Sequence, residues 1–325
     1  MTKLTRRSAL ALPAALATPA LAQGAWQPSR PITVIVPNPP GGGTDFAARL
    51  FADGLSAALG VPVAIDNRGG ANGNIGIMAA VRAPADGHTL LLQYSGYHAG
   101  NPAMMANLAW DPLRDLVPVG MATMAPHGIF AGPQVPANTL QEFIAWARER
   151  PGQLNYASSG TGSIQHIAGV LFGRAIGVEM THVPYRGAAP ALQDVAGGRV
   201  ELFITTPSSA IALVQGGRIK ALAMASARRA RALPEVPTTA EAGLPGFTLD
   251  AWFAFFAPAG IPQAARERLN AELRRLAQDP TVIARAEAGG ATLQPMTLAE
   301  LDTLARREVE ELGSVIRQAG ITIEG

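Results

Sequence analysis

Pro31-Ile32-Thr33-Val34-Ile35-Val36-Pro37-Asn38-Pro39-Pro40-Gly41-Gly42-Gly43-Thr44-Asp45, residues 31–45, passes from a β-branched run through a proline- and glycine-rich turn into a helix start. The run 31–36 has the composition of a strand buried on both faces. Over 45–59, Phe46, Leu50, Phe51, Leu55 and Leu59 recur at helical spacing and can share one buried face. A second strand is expected over 61–65, and a second helix over 72–81 after Gly69-Gly70. A third strand, 89–93, follows the Asp86-Gly87 turn. Strand–helix–strand–helix–strand implies a parallel sheet with helices on both faces.

The same rhythm recurs further along. Strands are expected over 154–157, 182–185, 200–205 and 219–225, with helices over 162–176, 188–195 and 208–215. The chain therefore reads as two α/β units. Residues 110–136, rich in Pro, Gly and Met, read as the connection between them, and Leu233-Pro234-Glu235-Val236-Pro237 as a second crossing. Amphipathic helices over 264–276 and 298–318 suggest that the chain returns to pack on the first unit. The expected domains are 26–124 plus 236–325, and 125–235.

The 325 residues, 48% hydrophobic and 15% charged, suffice for sizeable cores. Lys3, Arg6 and Arg7 precede an apolar, small-residue run over 9–17, and Ala20-Leu21-Ala22 places small residues before Gln23. This is the layout of a secretory signal over 1–22, cleaved after Ala22. Thr5-Arg6-Arg7-Ser8 fits a twin-arginine signal, and equally a general secretory signal with adjacent arginines. Cleavage leaves 23 basic and 24 acidic residues, so the formal +2 becomes −1. No basic run with interleaved aromatics points to nucleic acid. The absence of cysteine excludes thiol catalysis and cysteine–zinc sites. Export to the periplasm is the expected destination.

Two loops that leave a strand and enter a helix are built alike: Pro39–Asp45 and Ser158-Ser159-Gly160-Thr161-Gly162-Ser163. A helix start carries unpaired backbone N–H groups and partial positive charge, so it favours an anion. Gly41, Gly42 and Gly43 let the backbone approach a ligand. Thr44, Ser158, Thr161 and Ser163 can donate hydroxyl hydrogen bonds. Caps use the same residue types, but two matching loops at the carboxyl ends of strands point to ligand binding. Gln165 breaks the dinucleotide fingerprint, and neither loop ends as a P-loop does. No Gly-x-Ser-x-Gly elbow occurs. Ser163 with His166 is the one pair that a hydrolase reading could use, and it lacks an orienting third group. The five histidines show no metal-ligating spacing. Tyr94, followed by Ser95, is placed to face a cleft, whereas Phe203, Trp252, Phe253, Phe255 and Phe256 read as core.

The run from Val36 to Arg49 resembles the opening of the Bug receptors, the TctC-like periplasmic substrate-binding proteins of tripartite tricarboxylate transporters. Residues 66–76, 155–163, 182–187, 233–238 and 257–262 are similar to that family as well, in the right order along the chain. The resemblance implies a type II-like periplasmic-binding-protein fold, two α/β domains that close by a hinge on a ligand, with no cofactor and no catalysis. It implies a small carboxylate held between the domains, partly through water, and delivery to inner-membrane transporter subunits. By motif, the carboxylate falls to Gly41, Gly42, Gly43 and Thr44 on one side, and to Ser158, Thr161 and Ser163 on the other, beside His166. Selectivity would fall on Tyr94-Ser95, Ala125-Pro126-His127 and Thr205-Thr206-Pro207. Thr205 stands where many relatives have aspartate, which implies a ligand without an amine if Asp45 is engaged at its own helix. An orphan receptor feeding a sensor, and a periplasmic enzyme acting on a carboxylate, are the alternatives.

Overall fold

The computed structural model describes residues 26–318 and 320–322; the expected signal segment, 1–22, lies outside them. The first unit runs β1 (Ile32–Val36), α1 (Gly43–Leu59), β2 (Val63–Asn67), α2 (Asn74–Val81), β3 (Thr89–Tyr94) and α3 (Ser95–Met104). β4 (Leu116–Ala131) leads into the second unit: α4 (Leu140–Arg148), β5 (Leu154–Ser158), α5 (Ile164–Ile176), β6 (Met180–Pro184), α6 (Ala188–Ala196), β7 (Leu202–Thr205), α7 (Pro207–Gln215) and β8 (Lys220–Ala225). The chain returns through β9 (Asp250–Pro258), and α8 (Gln263–Leu276), α9 (Pro280–Ala288) and α10 (Leu298–Gln318) pack back on the first unit.

The strands run in the order β2-β1-β3-β9-β4-β7-β5-β6, with β8 on β4. β1 pairs in parallel with β2 and β3, and β5 with β6 and β7, as the alternating pattern requires. Two α/β units thus meet along β4 and β9, the architecture that the repeated strand–helix pattern implies.

The stretch 110–136 is more than a connection. Its residues 116–131 form the longest strand, which pairs with β9 up to Pro126 and with β8 and β7 from His127 and Gly128 onward. Pro118 and Pro126, together with register shifts after Pro118 and Met121, hid this strand from pattern reading. A Cβ at Gly120 would collide with the side chain of Leu273, so α8 lies directly on the strand there. α3 was also unforeseen, because Gly96, Gly100 and Pro102 are poor helix residues. Its Gly96 admits α5: a Cβ there would lie 2.9 Å from Ile164 Cβ. The return to the first unit comes later than residue 236. Ala242 and Phe247 belong to a core of the second unit, and Thr239 N–H donates to the Met224 carbonyl.

Phe51 and Phe255 meet edge to face at 5.9 Å in the first unit's core, both with no exposed surface. Removing a ring from so close-packed a site leaves a cavity that neighbours fill only in part. Phe255→Ala should lower the unfolding free energy by about 3–5 kcal/mol, measured by urea denaturation.

Candidate functional site

A narrow cavity of about 20 Å³ lies between the two units. From the first unit it is lined by Asn38, Pro39, Gly42, Gly43, Thr44, Tyr94, Tyr97 and Phe253; from the second by Ser159, Gln165, Gly187, Ala188, Thr206 and Ser209. None of these side chains is ionic.

Its electrostatics come from helix starts. Gly42 caps α1, Gly187 caps α6 and Thr206 caps α7, none with a side-chain hydrogen bond. The Phe46 N–H closes the first turn of α1 on the Gly42 carbonyl. The amides of Gly43 and Thr44 therefore precede the intrahelical ladder, and those of Ala188 and Ala189 do so in α6. By contrast α4, α5 and α9, which start elsewhere or turn aside, are capped by Thr139, Ser163 and Asp279. Bare N–H groups with their partial positive charge thus converge on one neutral chamber.

Four lining residues add a buried side-chain atom without a protein partner: Asn38 Oδ1, Tyr94 OH, Gln165 Oε1 and Ser209 Oγ. Orphaned polar atoms are costly when buried, so their concentration at one cavity marks a place for a polar ligand. Tyr94 stacks on Phe253 at 5.2 Å, and burial raises its phenol well above the usual 10, which keeps the hydroxyl a donor. The Tyr97 hydroxyl, raised to about 12 by burial, accepts from Asn38 Nδ2 at 2.7 Å.

Asp45 shapes the first loop without facing the cavity. Its carboxylate accepts from Gly41 N–H at 3.1 Å, Arg49 Nε at 3.0 Å and Asn67 Nδ2 at 3.1 Å. Gly41 has φ +88°, the left-handed conformation that glycine adopts freely. Burial works against the charge of Asp45, but the hydrogen bonds from Arg49, Gly41 and Asn67 outweigh it and hold the carboxyl below its ordinary 3.8.

The sequence-named residues divide. Gly42, Gly43, Thr44, Tyr94 and Thr206 come together at the cavity. Gly41 forms the turn behind them. Ser95 and Thr205 are buried, with hydroxyls that have no partner, and do not reach its wall. The second loop is turned differently from the first. Ser158 Oγ donates to the Gly160 carbonyl and lies 2.6 Å from His182 Nε2. Ser163 Oγ accepts the His166 backbone N–H, and His166 Nδ1 accepts from Gly162 N–H at 3.0 Å. Thr161 is exposed on the outer rim. The imidazoles of His166 and His182 stack at 3.9 Å; burial lowers both, His182 to about 4 with the neighbouring ring contributing. His127 sits where the strands cross, its Nδ1 3.2 Å from the Leu249 carbonyl, away from the cavity. Among the described residues no group of three metal-ligating side chains occurs.

Sequence reasoning missed Asn38, Tyr97, Gln165, Gly187 and Ser209; Phe253, read as core, is buried in the first unit's core and lines the cavity as well. Tyr97 lies one turn after Tyr94 on the unforeseen α3. Gly187 and Ser209 each begin a helix after a strand, a signal that was available.

The family model described as tripartite tricarboxylate transporter family receptor matches residues 47–321. The chain belongs to this receptor family. It is 35% identical over 298 residues to BugT of Bordetella pertussis, a match that covers 91% of each. The adipate complex of Rpa4515 from R. palustris superimposes with a TM-score of 0.88 at 34% identity, covering 91% of this chain and 99% of that one. MatC of Rhodopseudomonas palustris with bound malate gives 0.83 at 34% identity, over 89% and 99%. Among the described residues no helix is long and apolar enough to cross a membrane.

Asp45→Ala removes the acceptor of Gly41 N–H and one of the two acceptors of Asn67 Nδ2, and should cost about 1–3 kcal/mol at neutral pH. Because the folded carboxyl titrates below its unfolded value, its contribution is present above about pH 3.8 and disappears as pH falls through the lowered folded value. Wild-type and variant denaturation curves should accordingly converge in acid.

Proposed function

We propose that this receptor captures a small carboxylate lacking an amino group, in the periplasm, and delivers it to the membrane subunits of a tripartite transporter without transforming it. The observation that carries the reading is the neutral cavity faced by uncapped helix starts from both units. Such amides neutralise one carboxylate through fixed dipoles, and Tyr94 and Ser209 supply further donors. An ammonium group would need an anion, and the cavity wall contains none; Asp45 is held by Arg49, Asn67 and Gly41. The relatives that hold adipate and malate have bound ligands of this chemistry.

Catalysis finds no footing at this site. Ser163 and His166 satisfy their own helix start, and Ser158, which does touch His182, is fully buried outside the cavity wall. A general base must reach the reacting group, and neither histidine lines the chamber. Export through the N-terminal Arg6-Arg7 segment completes the reading, with the mature chain beginning at Gln23.

A ligand that binds only the native state raises the melting temperature, by an amount equivalent to about 2.7 kcal/mol at a hundredfold excess over Kd. Adipate, malate or a close relative should raise it, and aspartate and glutamate should not; the reverse order would contradict the proposal. Gly42→Val offers the matching control. Nothing lies within 4 Å of a Cβ at Gly42, and its φ −94°, ψ 174° suit valine, so the side chain occupies open space at the cavity wall and not the core. The variant should keep the wild-type denaturation curve while losing at least tenfold in calorimetric affinity.

A further inference from the structure

The cavity opens outward into a groove of about 900 Å³, and Asn38, Pro39, Tyr97, Ser159 and Gly187 line both spaces. A ligand anchored inside would extend along this passage. Its walls are largely apolar or uncharged, with Tyr97 on one side and Ile75, 56% exposed, further out. Among the described residues that line cavity and groove, one side chain is ionic, that of Arg186.

Arg186 is exposed and immediately precedes Gly187, the uncapped start of α6. Nearby acids are already engaged. Asp194 accepts from Tyr185 OH at 2.8 Å and from Arg199 at 2.7 Å, and Asp66 pairs with Arg68 at 2.7 Å. The guanidinium thus presents its donors at the mouth beside a helix start whose partial charge has the same sign.

We propose that Arg186 is a specificity-determining residue that recognises a second negatively charged group at the end of the ligand remote from the cavity. The proposal rests on the carboxylate reading above and deepens it. One anionic end is held inside by neutral donors, the hydrocarbon middle passes Tyr97, and the far end meets the guanidinium of Arg186. Such a site favours α,ω-dicarboxylates long enough to reach the mouth over monocarboxylates of equal chain length. A solvent-exposed pair of this kind contributes modestly, so the preference is about fivefold and weakens with added salt.

Calorimetric titration of the mature protein with matched mono- and dicarboxylates, in wild type, Arg186→Gln and Arg186→Lys, tests this. Wild type should prefer the dicarboxylate about fivefold at low salt, R186Q should bring the two affinities within twofold, and R186K should retain part of the gap. Raising the salt concentration on wild type should narrow the gap without any substitution, which keeps the test independent of how R186Q folds. Equal affinities in wild type, or a preference that survives in R186Q or is indifferent to salt, would overturn the role of Arg186 while leaving the carboxylate reading intact. Failure of both acids to bind would remove that reading, and this proposal with it.

Discussion

The structure turns on hydrogen-bond donors that a helix cannot satisfy for itself. At the starts of α1, α6 and α7 no side chain caps the exposed amides, and all three starts reach one chamber that lacks ionic side chains. Elsewhere Thr139 and Asp279 close such ends, while α2 and α8 also start without a side-chain cap, so what distinguishes these three starts is their convergence on one chamber. Donors left open in a neutral enclosure are matched by a compact anion, and fixed dipoles need no counter-charge that a wrong ligand could exploit.

That arrangement needs two rigid supports that can approach each other. β4 and β9 provide the link: β4 lies along β9 through Pro126, then changes partners to β7 and β8. The contact between units is tight at the chamber itself. A Cβ on Gly43 would lie 2.7 Å from Thr206 Oγ1 and 3.0 Å from Phe253 Cζ, so glycine lets the first helix start come against the second unit. Sheet, crossing and glycine thus bring distant segments of sequence to one point.

Much of this is legible in the sequence. The β-branched run of β1 and the glycines after it identified α1 and its open start, because local composition decides both. The long β4 was not legible, since its prolines and register shifts are tolerated only by tertiary pairing with β9. The second loop misled for a related reason. Ser158-Ser159-Gly160-Thr161-Gly162-Ser163 has the composition of an anion cradle, yet Ser163 closes its own helix and Ser158 bonds the loop and His182. Composition cannot distinguish a hydroxyl that caps from one that waits for a ligand. Of that loop only Ser159 reaches the cavity, beside Gly187 and Ser209, which lie at equivalent strand-to-helix junctions with less conspicuous sequences.

The most direct test of the central claim is amide-resolved NMR during titration with adipate. If backbone donors at opposed helix starts hold the carboxylate, the amide protons of Gly43, Thr44, Ala188 and Ala189 should move downfield together, as new hydrogen bonds to an anion require. Saturable binding that leaves these four resonances in place would contradict the account, because the anion would then be held by some other part of the molecule.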